Sequence, residues 1–292
     1  MIEIKICPSC NSENFSSYQT CVDYTVSHET FQLIKCETCN LVITTPRPEN
    51  HQLSKYYKSD NYISHTNKAS TIIDQIYLLA RKYTLRKKIN ILRNLKKKGT
   101  ILDYGCGTGE FLNACKSNGW IISGLEPSPD ARAKANHLNQ ILIHESLDEI
   151  QKKYDTITLW HVLEHVADLN DTLKKLSSLL KENGIIFIAV PNYESYDAHY
   201  YKQNWAAFDV PRHLWHFDKN SMETLLIKNC LTIESIVPMK LDSFYVSLLS
   251  EKYKNNKQTL TGMAKAFYIG LKSNLKAKQS NNFSSLIYIA RK

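Results

Sequence analysis

Residues 101–112 read ILDYGCGTGEFL, an apolar run followed by a loop with three glycines. The apolar run predicts a β-strand and a helical pattern begins at Glu110, so the loop connects a strand to a helix. Such loops usually bind phosphate, but a dinucleotide loop reads G-x-G-x-x-G, and here the third glycine comes one residue early with Glu110 in its place. Glu110 and Asp103, which precedes the loop, would repel a pyrophosphate. The stretch therefore predicts an α/β fold whose ligand has a cationic or neutral centre.

Strand-like and helix-like segments alternate from Thr100 to the end of the chain. The predicted strands are TILDY, WIISGLEP, QILIH, YDTITLW, GIIFIAVPN, LTIESIVPM and SLIYIARK. This alternation is typical of a sheet with parallel strands. The second strand ends in Glu126, 21 residues after Gly105, where a carboxylate can accept hydrogen bonds from both hydroxyls of a ribose. S-adenosylmethionine has a ribose, a sulfonium and an ammonium but no phosphate, so it suits this loop.

Two C-x-x-C pairs stand near the N-terminus, with 25 residues between them. The four residues are Cys7, Cys10, Cys36 and Cys39. In a reducing compartment such pairs bind a metal ion more often than they form disulfides. Together they predict a tetrahedral zinc site of structural type, because four thiolates leave no open position on the ion. Redox-active or incidental cysteine pairs are the alternative.

The composition predicts a globular protein with an uneven positive charge. Hydrophobic residues make up 43% of the chain, and the net charge is +9. Lysine and arginine concentrate in residues 81–98 and 252–278, which indicates solvated helix faces or a surface for an acidic partner such as nucleic acid. No apolar run reaches the roughly 20 residues that span a bilayer, and the N-terminus does not resemble a signal peptide. We therefore expect a cytoplasmic protein.

Residues 100–192 resemble the class I S-adenosylmethionine-dependent methyltransferases. The likeness lies in the segments DYGCGTGEF, GLEPS, YDTITLWHVLEHVADL and LLKENGIIFIAVPN. The whole chain resembles more closely the members with an N-terminal zinc ribbon that are found with polysaccharide and sugar biosynthesis. This resemblance implies an α/β, Rossmann-like, seven-stranded methyltransferase sheet whose last strand is antiparallel, preceded by a small N-terminal zinc ribbon.

These patterns predict three parts of the chain. They are a zinc ribbon at 1–45, a connector with N-terminal helices at 46–99, and a methyltransferase domain at 100–292, which includes an aromatic lid at 192–217 and a C-terminal helical insertion at 240–283. In the insertion, one helical face is apolar and is formed by Leu260, Met263, Ala264, Phe267 and Leu271. We expect this face to pack on the domain or on a second subunit of a homodimer, with a membrane surface as the less favoured alternative.

The resemblance implies a set of residues that bind S-adenosylmethionine. Asp103, Gly105 and Gly107 would line its methionine and ribose parts, and Glu126 would bind the ribose hydroxyls. The remaining predicted cofactor residues are Pro127 beside the adenine, Leu147 as an adenine contact with Glu145 and Ser146 as alternatives, and Trp160 and His161 at the end of the fourth strand.

Histidines at the end of the fourth strand and in the later VPRHLWHF segment suggest catalysis. We predict that His161, His165 or His213 accepts a proton from an acceptor hydroxyl, unless the histidines only cap or pack the following helix. Ubiquinone-pathway and small-RNA methyltransferases carry an E-x-x-E-H motif here. That likeness implies a second metal site of His161, Glu164, His165 and His213 or His216, and imidazole ligands suit zinc, iron or manganese better than magnesium.

The lid predicted at 192–217 is rich in aromatic residues and should cover the acceptor, unless it packs as an ordinary loop. The predicted substrate residues are Tyr193, Tyr196, Trp205, Phe208 and His213. We therefore predict a methyltransferase that acts on a carbohydrate or another small-metabolite acceptor. An RNA methyltransferase with a second metal site and a non-catalytic cofactor-sensing module are the alternatives.

Overall fold

The computed structural model describes residues 1–57, 72–95 and 98–292. Part of the predicted connector and the end of the first basic run therefore lie outside the described residues. The strands are β1 (Phe15–Val22), β2 (Thr30–Cys36), β3 (Val42–Thr44), β4 (Thr100–Tyr104), β5 (Ile121–Leu125), β6 (Tyr154–Trp160), β7 (Leu180–Pro191), β8 (Trp215–His216), β9 (Thr232–Pro238) and β10 (Ser285–Arg291). The α-helices are α1 (Ile72–Leu95), α2 (Glu110–Ser117), α3 (Pro129–Asn139), α4 (Leu169–Leu179), α5 (Tyr196–Tyr201), α6 (Lys219–Lys228), α7 (Asp242–Asn255) and α8 (Leu260–Ser280).

The central sheet has the strand order β5-β4-β6-β7-β10-β9. The pairs β4–β5, β4–β6 and β6–β7 are parallel, whereas β10 is antiparallel to both of its neighbours. Residues 185–190 of β7 are all buried, because helices cover both faces of a largely parallel sheet. The α/β fold and the antiparallel last strand are confirmed.

The sheet has six strands in the described chain, one fewer than the seven predicted. The predicted strand QILIH makes a single bridge, between His144 and Leu125. Gln140 adopts a left-handed backbone conformation at the end of α3, and the amide N–H of Ile143 donates to the side-chain oxygen of Asn136 at 2.7 Å. These local interactions hold the segment against its own helix, so a full ladder does not form.

A second, antiparallel sheet has the order β1-β2-β3-β8. Its first three strands belong to the predicted zinc ribbon, but β8 comes from the loop after β7: Ile43 pairs with Trp215, and Val42 pairs with His216. The predicted ribbon at 1–45 is therefore completed by residues of the predicted lid. This pairing joins the cysteine-bearing segment to the segment that follows β7 of the central sheet.

The segment predicted as a lid is packed between the two sheets. Asp197, fully buried at the start of α5, accepts hydrogen bonds from Trp205, Ser273 and Ser284 at 2.6–2.8 Å. These bonds tie the loop to α8 and to the segment before β10. In the chain, α7 and α8 come between β9 and β10, in the region predicted as a helical insertion. Of the helices in the described ranges, none combines the length and apolarity needed to cross a bilayer.

Candidate active site and metal centre

In the loop between β4 and α2, glycines are required by the backbone conformation and by a close contact. Gly105 and Gly107 have φ values of +73° and +55°, in the left-handed region where side chains are disfavoured. A Cβ on Gly105 would also lie 2.6 Å from a methyl carbon of Val162. A Cβ on Gly107 would meet no atom of the described chain within 4 Å. The loop therefore leaves space for a ligand beside Gly107.

Asp103 and Glu126, the two carboxylates predicted to bind the cofactor, lie on either side of this loop. Asp103 is 2% exposed, and its carboxylate accepts a 2.6 Å hydrogen bond from the Thr158 hydroxyl. Burial raises the pKa of Asp103 to about 7, although that hydrogen bond and the nearby Lys88 act in the opposite direction. The Glu126 carboxylate accepts from the backbone N–H groups of Gly107 and Ser128, both at 2.9 Å. An acidic site thus surrounds the loop.

Lys88 of α1 reaches this site, and sequence reasoning did not identify it. Its ammonium lies 4.3 Å from the ring centroid of Trp160 at the end of β6. Burial lowers the pKa of Lys88 to about 8, while Asp103 raises it. The indole N–H of Trp160 is buried without a hydrogen-bond partner among the described residues. The signal in the sequence was the position of Lys88 between the inward-facing Leu85 and Leu92.

The predicted adenine contacts lie at the end of β5 and in the segment that follows α3. Arg132 donates to the carbonyls of Glu126 and Pro127 at 2.8 Å and pairs with the Glu145 carboxylate at 2.8 Å. This arginine links the end of β5 to the segment before Leu147, which is half-buried against the central core. Pro127 is exposed.

His161, at the end of β6, is held between two carboxylates. Its Nδ1 lies 3.3 Å from Glu164 and its Nε2 lies 3.1 Å from Asp242 of α7. Burial lowers the pKa of His161, but the bonds to Asp242 and Glu164 outweigh it and raise this pKa to about 9. The ring is therefore protonated at neutral pH, and a protonated ring cannot accept a proton from an acceptor.

His165 and His213 form the second half of this cluster. Their rings meet edge to face with centroids 4.5 Å apart. Nδ1 of His165 donates to the Arg212 carbonyl at 3.0 Å, and Nδ1 of His213 donates to the Ala207 carbonyl at 2.8 Å. Because a carbonyl only accepts, each ring carries a proton on Nδ1 in this arrangement, and Nε2 is the nitrogen left for another partner. Burial and the neighbouring His213 lower the pKa of His165 to about 4, so this ring stays neutral.

Glu164, His165 and His213 could together hold a metal ion. One donor atom from each lies within 4.8 Å of the others. Glu164 is fully buried, and its Oε2 has no hydrogen-bond partner among the described residues. Two imidazoles and a carboxylate fit a first-row transition metal. The other predicted ligands are engaged elsewhere, since His161 contacts Asp242 and His216 lies 3.0 Å from the Thr44 hydroxyl.

The four predicted zinc ligands converge. One sulfur from each lies within 4.8 Å of the others, and the Cys7–Cys39 and Cys10–Cys36 sulfur pairs are 3.5 Å apart. Tetrahedral zinc thiolate sites require about 3.8 Å between sulfurs, so the spacing fits. A hydrogen bond from Cys7 lowers the pKa of Cys39 to about 5, which favours a thiolate.

Both cysteine turns have the same local design. Each C-x-x-C is followed by an asparagine, Asn11 or Asn40, with a φ of +64° or +67°. The N–H of each asparagine donates to the carbonyl of the first cysteine of its pair at 2.9 Å. Asparagine tolerates the left-handed conformation better than most residues do. The sequence C-x-x-C-N therefore closes each turn with its thiols on one side.

Most of the predicted substrate residues are packed inside the protein. Tyr193, Trp205 and Phe208 are at most 2% exposed. The Tyr193 hydroxyl donates to the Asn40 carbonyl at 2.6 Å, and the rings of Trp205 and Phe208 lie 5.0 Å apart. We assign these three residues to packing between the sheets, because the docking of β8 on β3 encloses them. Tyr196 is half-buried beside α8, and His213 lies in the histidine cluster.

Arg212 connects the N-terminal sheet to the histidine cluster. It is 1% exposed and donates to Asp23 at 2.9 Å and to Asp209 at 2.6 Å. Burial opposes ionisation of Asp23, yet the bonds from Arg212 and the adjacent backbone lower its pKa to about 2. The Arg212 carbonyl also accepts the hydrogen bond from Nδ1 of His165. Sequence reasoning missed Asp23, which stands near no recognisable motif, and Asp209, which directly precedes the VPRHLWHF segment.

Comparison with known proteins gives matches to methyltransferases. A profile described as a methyltransferase domain matches residues 77–236. The ubiquinone biosynthesis O-methyltransferase of Glaesserella parasuis is 34% identical over 106 residues, which are 32% of this chain and 45% of that protein. The protein of the same name from Pelagibacter ubique is 32% identical over 123 residues, 39% of this chain and 49% of that protein. The matched segment thus spans about half the length of these relatives.

Solved structures share the fold. The magnesium protoporphyrin IX methyltransferase of Synechocystis PCC 6803 with bound S-adenosylhomocysteine (SAH) has a TM-score of 0.55 at 14% identity, and the match covers 84% of this chain and 100% of that chain. The same protein with bound S-adenosylmethionine gives a TM-score of 0.51 at 13% identity, with 85% and 100% covered. At these identities the likeness concerns the fold alone.

Proposed function

Because this chain belongs to the methyltransferase domain family, we propose that it transfers the methyl group of S-adenosylmethionine to a hydroxyl of a small-metabolite acceptor. The observation that supports this most directly is the acidic glycine loop. Glu126 is bonded to the N–H of Gly107, Asp103 is buried below, and space is open beside Gly107. Such a site attracts a cation that bears a ribose and repels a pyrophosphate.

The residues present fit this cofactor. When bound, S-adenosylmethionine supplies an electrophilic methyl group on its sulfonium. Glu126 would accept from the ribose hydroxyls, and Pro127 and Leu147 would border the adenine. The methionine end of the cofactor carries both an ammonium and a carboxylate. Asp103 and Lys88, which lie at the same end of the sheet, offer one partner of opposite charge to each of these groups.

The Lys88→Met variant should bind S-adenosylmethionine about tenfold more weakly, the usual value of one charge-assisted hydrogen bond. Lys88 is the proposed partner of the cofactor carboxylate. Decarboxylated S-adenosylmethionine lacks that group, so it should bind equally well to the variant and to the original protein. Calorimetric titration of both ligands gives the comparison. Lys87→Met is the matched control, since Lys87 is exposed. Equal weakening for both ligands would contradict the assignment of Lys88 to the carboxylate.

His213 is the group that we assign as the proton acceptor. Its Nδ1 donates to the Ala207 carbonyl, so the neutral ring would have its lone pair on Nε2, and Asp209 lies 4.0 Å from Nε2. That carboxylate can stabilise the imidazolium that forms when the acceptor hydroxyl loses its proton. His161, already protonated, would fix Glu164 and the start of α7 around the site. His165 would then support the ring of His213.

Replacing His213 by glutamine should lower kcat about a hundredfold, which is the lower end of the usual contribution of a general base. Cofactor affinity should change less than about threefold, because His213 does not belong to the glycine loop. Single-turnover methyl transfer and calorimetry measure the two quantities. A variant that keeps its original kcat would exclude His213 as the base.

A metal-assisted reaction is a second candidate, and the cluster of Glu164, His165 and His213 favours it. A transition metal there would lower the pKa of a bound acceptor hydroxyl without a histidine base. Elemental analysis of purified protein distinguishes the two. The metal reaction requires an ion in addition to any zinc at the cysteines, and this ion should be lost in both His165→Gln and His213→Gln. The base reaction requires no such ion.

The acceptor can be found by transfer of labelled methyl from S-adenosylmethionine into fractionated cell extract. We propose a hydroxyl acceptor because the curated relatives are named O-methyltransferases, and a carbohydrate is the narrower form of that proposal. Label in small polar or glycan fractions would support it. Label removed by ribonuclease would favour the RNA alternative. No transfer, despite tight cofactor binding, would favour a cofactor sensor.

Zinc is the ion that we propose for Cys7, Cys10, Cys36 and Cys39. Three of the four cysteines are at most 2% exposed, so a substrate has no access to the ion. Its role would be structural, to hold the N-terminal sheet against α4 and α6. Asn170 and Lys228 of these helices donate to the Pro8 carbonyl at 2.9 and 2.6 Å.

A further inference from the structure

Helix α8 buries mostly small residues and exposes most of its large apolar ones. Ala266, Ile269, Gly270 and Ala277 are buried on the side that faces the domain. A Cβ on Gly270 would lie 2.8 Å from the Phe244 ring, so α7 approaches closely there. The large apolar side chains on the opposite side are exposed, so they add little to the packing of the domain. Their position therefore requires an explanation outside the domain.

The exposed side chains form one stripe along the helix. Leu260 is 85% exposed, Phe267 63%, Leu271 43% and Leu275 52%. Their spacing of four or seven residues places them on one face, and Tyr268, 58% exposed, lies beside them. At 1.5 Å per residue the stripe is about 22 Å long. Continuous apolar surface of this size on a soluble domain usually marks an interaction site.

The exposed charges that α7 and α8 place beside this stripe are all positive. α8 contains Lys265, Lys272, Lys276 and Lys278 and no acidic residue. The neighbouring α7 contains two carboxylates, and both face inward: Asp242 contacts His161, and Glu251 is 3% exposed and pairs with Lys265. The surface therefore combines exposed leucines and aromatic rings with lysines whose stems can lie along it.

This charge pattern indicates which partner binds the stripe. A second copy of the chain would bring one lysine-bordered stripe against another, and like charges would oppose the contact. An anionic lipid surface supplies both apolar chains for the stripe and negative headgroups for the lysines. We propose that α8 is an interfacial helix that lies on an anionic lipid bilayer, with Phe267 and Leu271 inserted at the level of the headgroups.

The proposed contact is connected to the active site by α7. α8 packs along α7, and Asp242 at the first position of α7 binds His161 at 3.1 Å. Ser243 of α7 also donates to the Gly270 carbonyl at 3.1 Å. The lipid surface would thus lie two elements away from the histidine cluster. This inference does not depend on which acceptor is methylated.

Co-sedimentation of the full chain with vesicles tests the proposal. The protein should bind vesicles that contain about one-third phosphatidylglycerol, bind phosphatidylcholine vesicles at least about tenfold more weakly, and dissociate as salt is raised. The double variant Phe267→Ser, Leu271→Ser should lose at least about tenfold in binding. Lys276→Glu, Lys278→Glu should lose binding to the anionic vesicles in the same way.

Matched variants keep the test specific. Leu142→Ser, Ile227→Ser removes two side chains that are 78% and 62% exposed elsewhere, and Lys152→Glu, Lys153→Glu makes the same charge change at another exposed place. Both should bind vesicles as the original protein does. Absence of binding to anionic vesicles at low salt would overturn the proposal. So would light scattering that shows a dimer which the serine variant dissociates, because a second copy would then cover the stripe.

Discussion

Replacing Glu126 by alanine is expected to raise the dissociation constant for S-adenosylmethionine about a thousandfold. The carboxylate is fixed by the N–H groups of Gly107 and Ser128 at 2.9 Å each, and it has further lone pairs for the two ribose hydroxyls. Hydrogen bonds to a charged acceptor contribute about 2 kcal/mol each, and two of them correspond to a thousandfold in affinity. Calorimetric titration with the cofactor measures this directly.

A matched control separates this effect from general loss of negative charge. Asp130, in the first turn of α3, is an exposed carboxylate four residues further along the chain. Asp130→Ala should leave the affinity unchanged within about twofold, since an exposed charge is screened by solvent. Glu126→Gln keeps the size of the side chain, and its affinity for the cofactor should lie between those of Glu126→Ala and Asp130→Ala. Equal cofactor affinity in Glu126→Ala and the original protein would show that the ligand binds elsewhere.

Local interactions explain which parts of the site could be predicted from the sequence. The glycine loop depends on backbone conformations at Gly105 and Gly107, and its acid partner Glu126 follows the adjacent strand. The cysteine turns likewise depend on residues within five positions of each other. In both cases spacing along the chain determines spacing in the structure, so the pattern was sufficient.

Long-range packing explains what the sequence could not reveal. Asp242, 81 residues from His161, decides that this histidine is protonated. The pairing of β8 with β3 encloses the aromatic side chains that were predicted to contact the acceptor. None of these contacts leaves a periodic or spaced signal in the chain.

Removal of the zinc ion that we propose for the cysteine site is expected to unfold the N-terminal sheet and reduce methyl transfer. Structural zinc sites contribute about 10 kcal/mol or more, comparable to the whole stability of a domain. Cys39→Ser should therefore lose the bound ion and lower Tm by at least about 10 °C. Elemental analysis and calorimetry measure both effects. Cys230→Ser, which removes an exposed cysteine thiol, should retain one zinc ion per chain and the original Tm.

The loss of activity follows from the contacts between the two sheets. Asp23 of the N-terminal segment binds Arg212 at 2.9 Å, and the Arg212 carbonyl orients His165 at 3.0 Å. His213 follows directly in the chain, and β8 pairs with β3 two residues later. If the N-terminal sheet unfolds, both histidines lose the groups that hold their rings. The glycine loop belongs to the central sheet and does not depend on these contacts.

The zinc-depleted protein should therefore bind S-adenosylmethionine within about threefold of the original affinity while kcat falls at least about tenfold. A fall in kcat without a loss of cofactor affinity would distinguish an ion that supports the histidine cluster from an ion that merely stabilises the whole chain. Loss of cofactor affinity in parallel with kcat would indicate that the two sheets unfold together. Unchanged kcat and Tm in Cys39→Ser would show that the four cysteines do not bind an ion that matters for the fold.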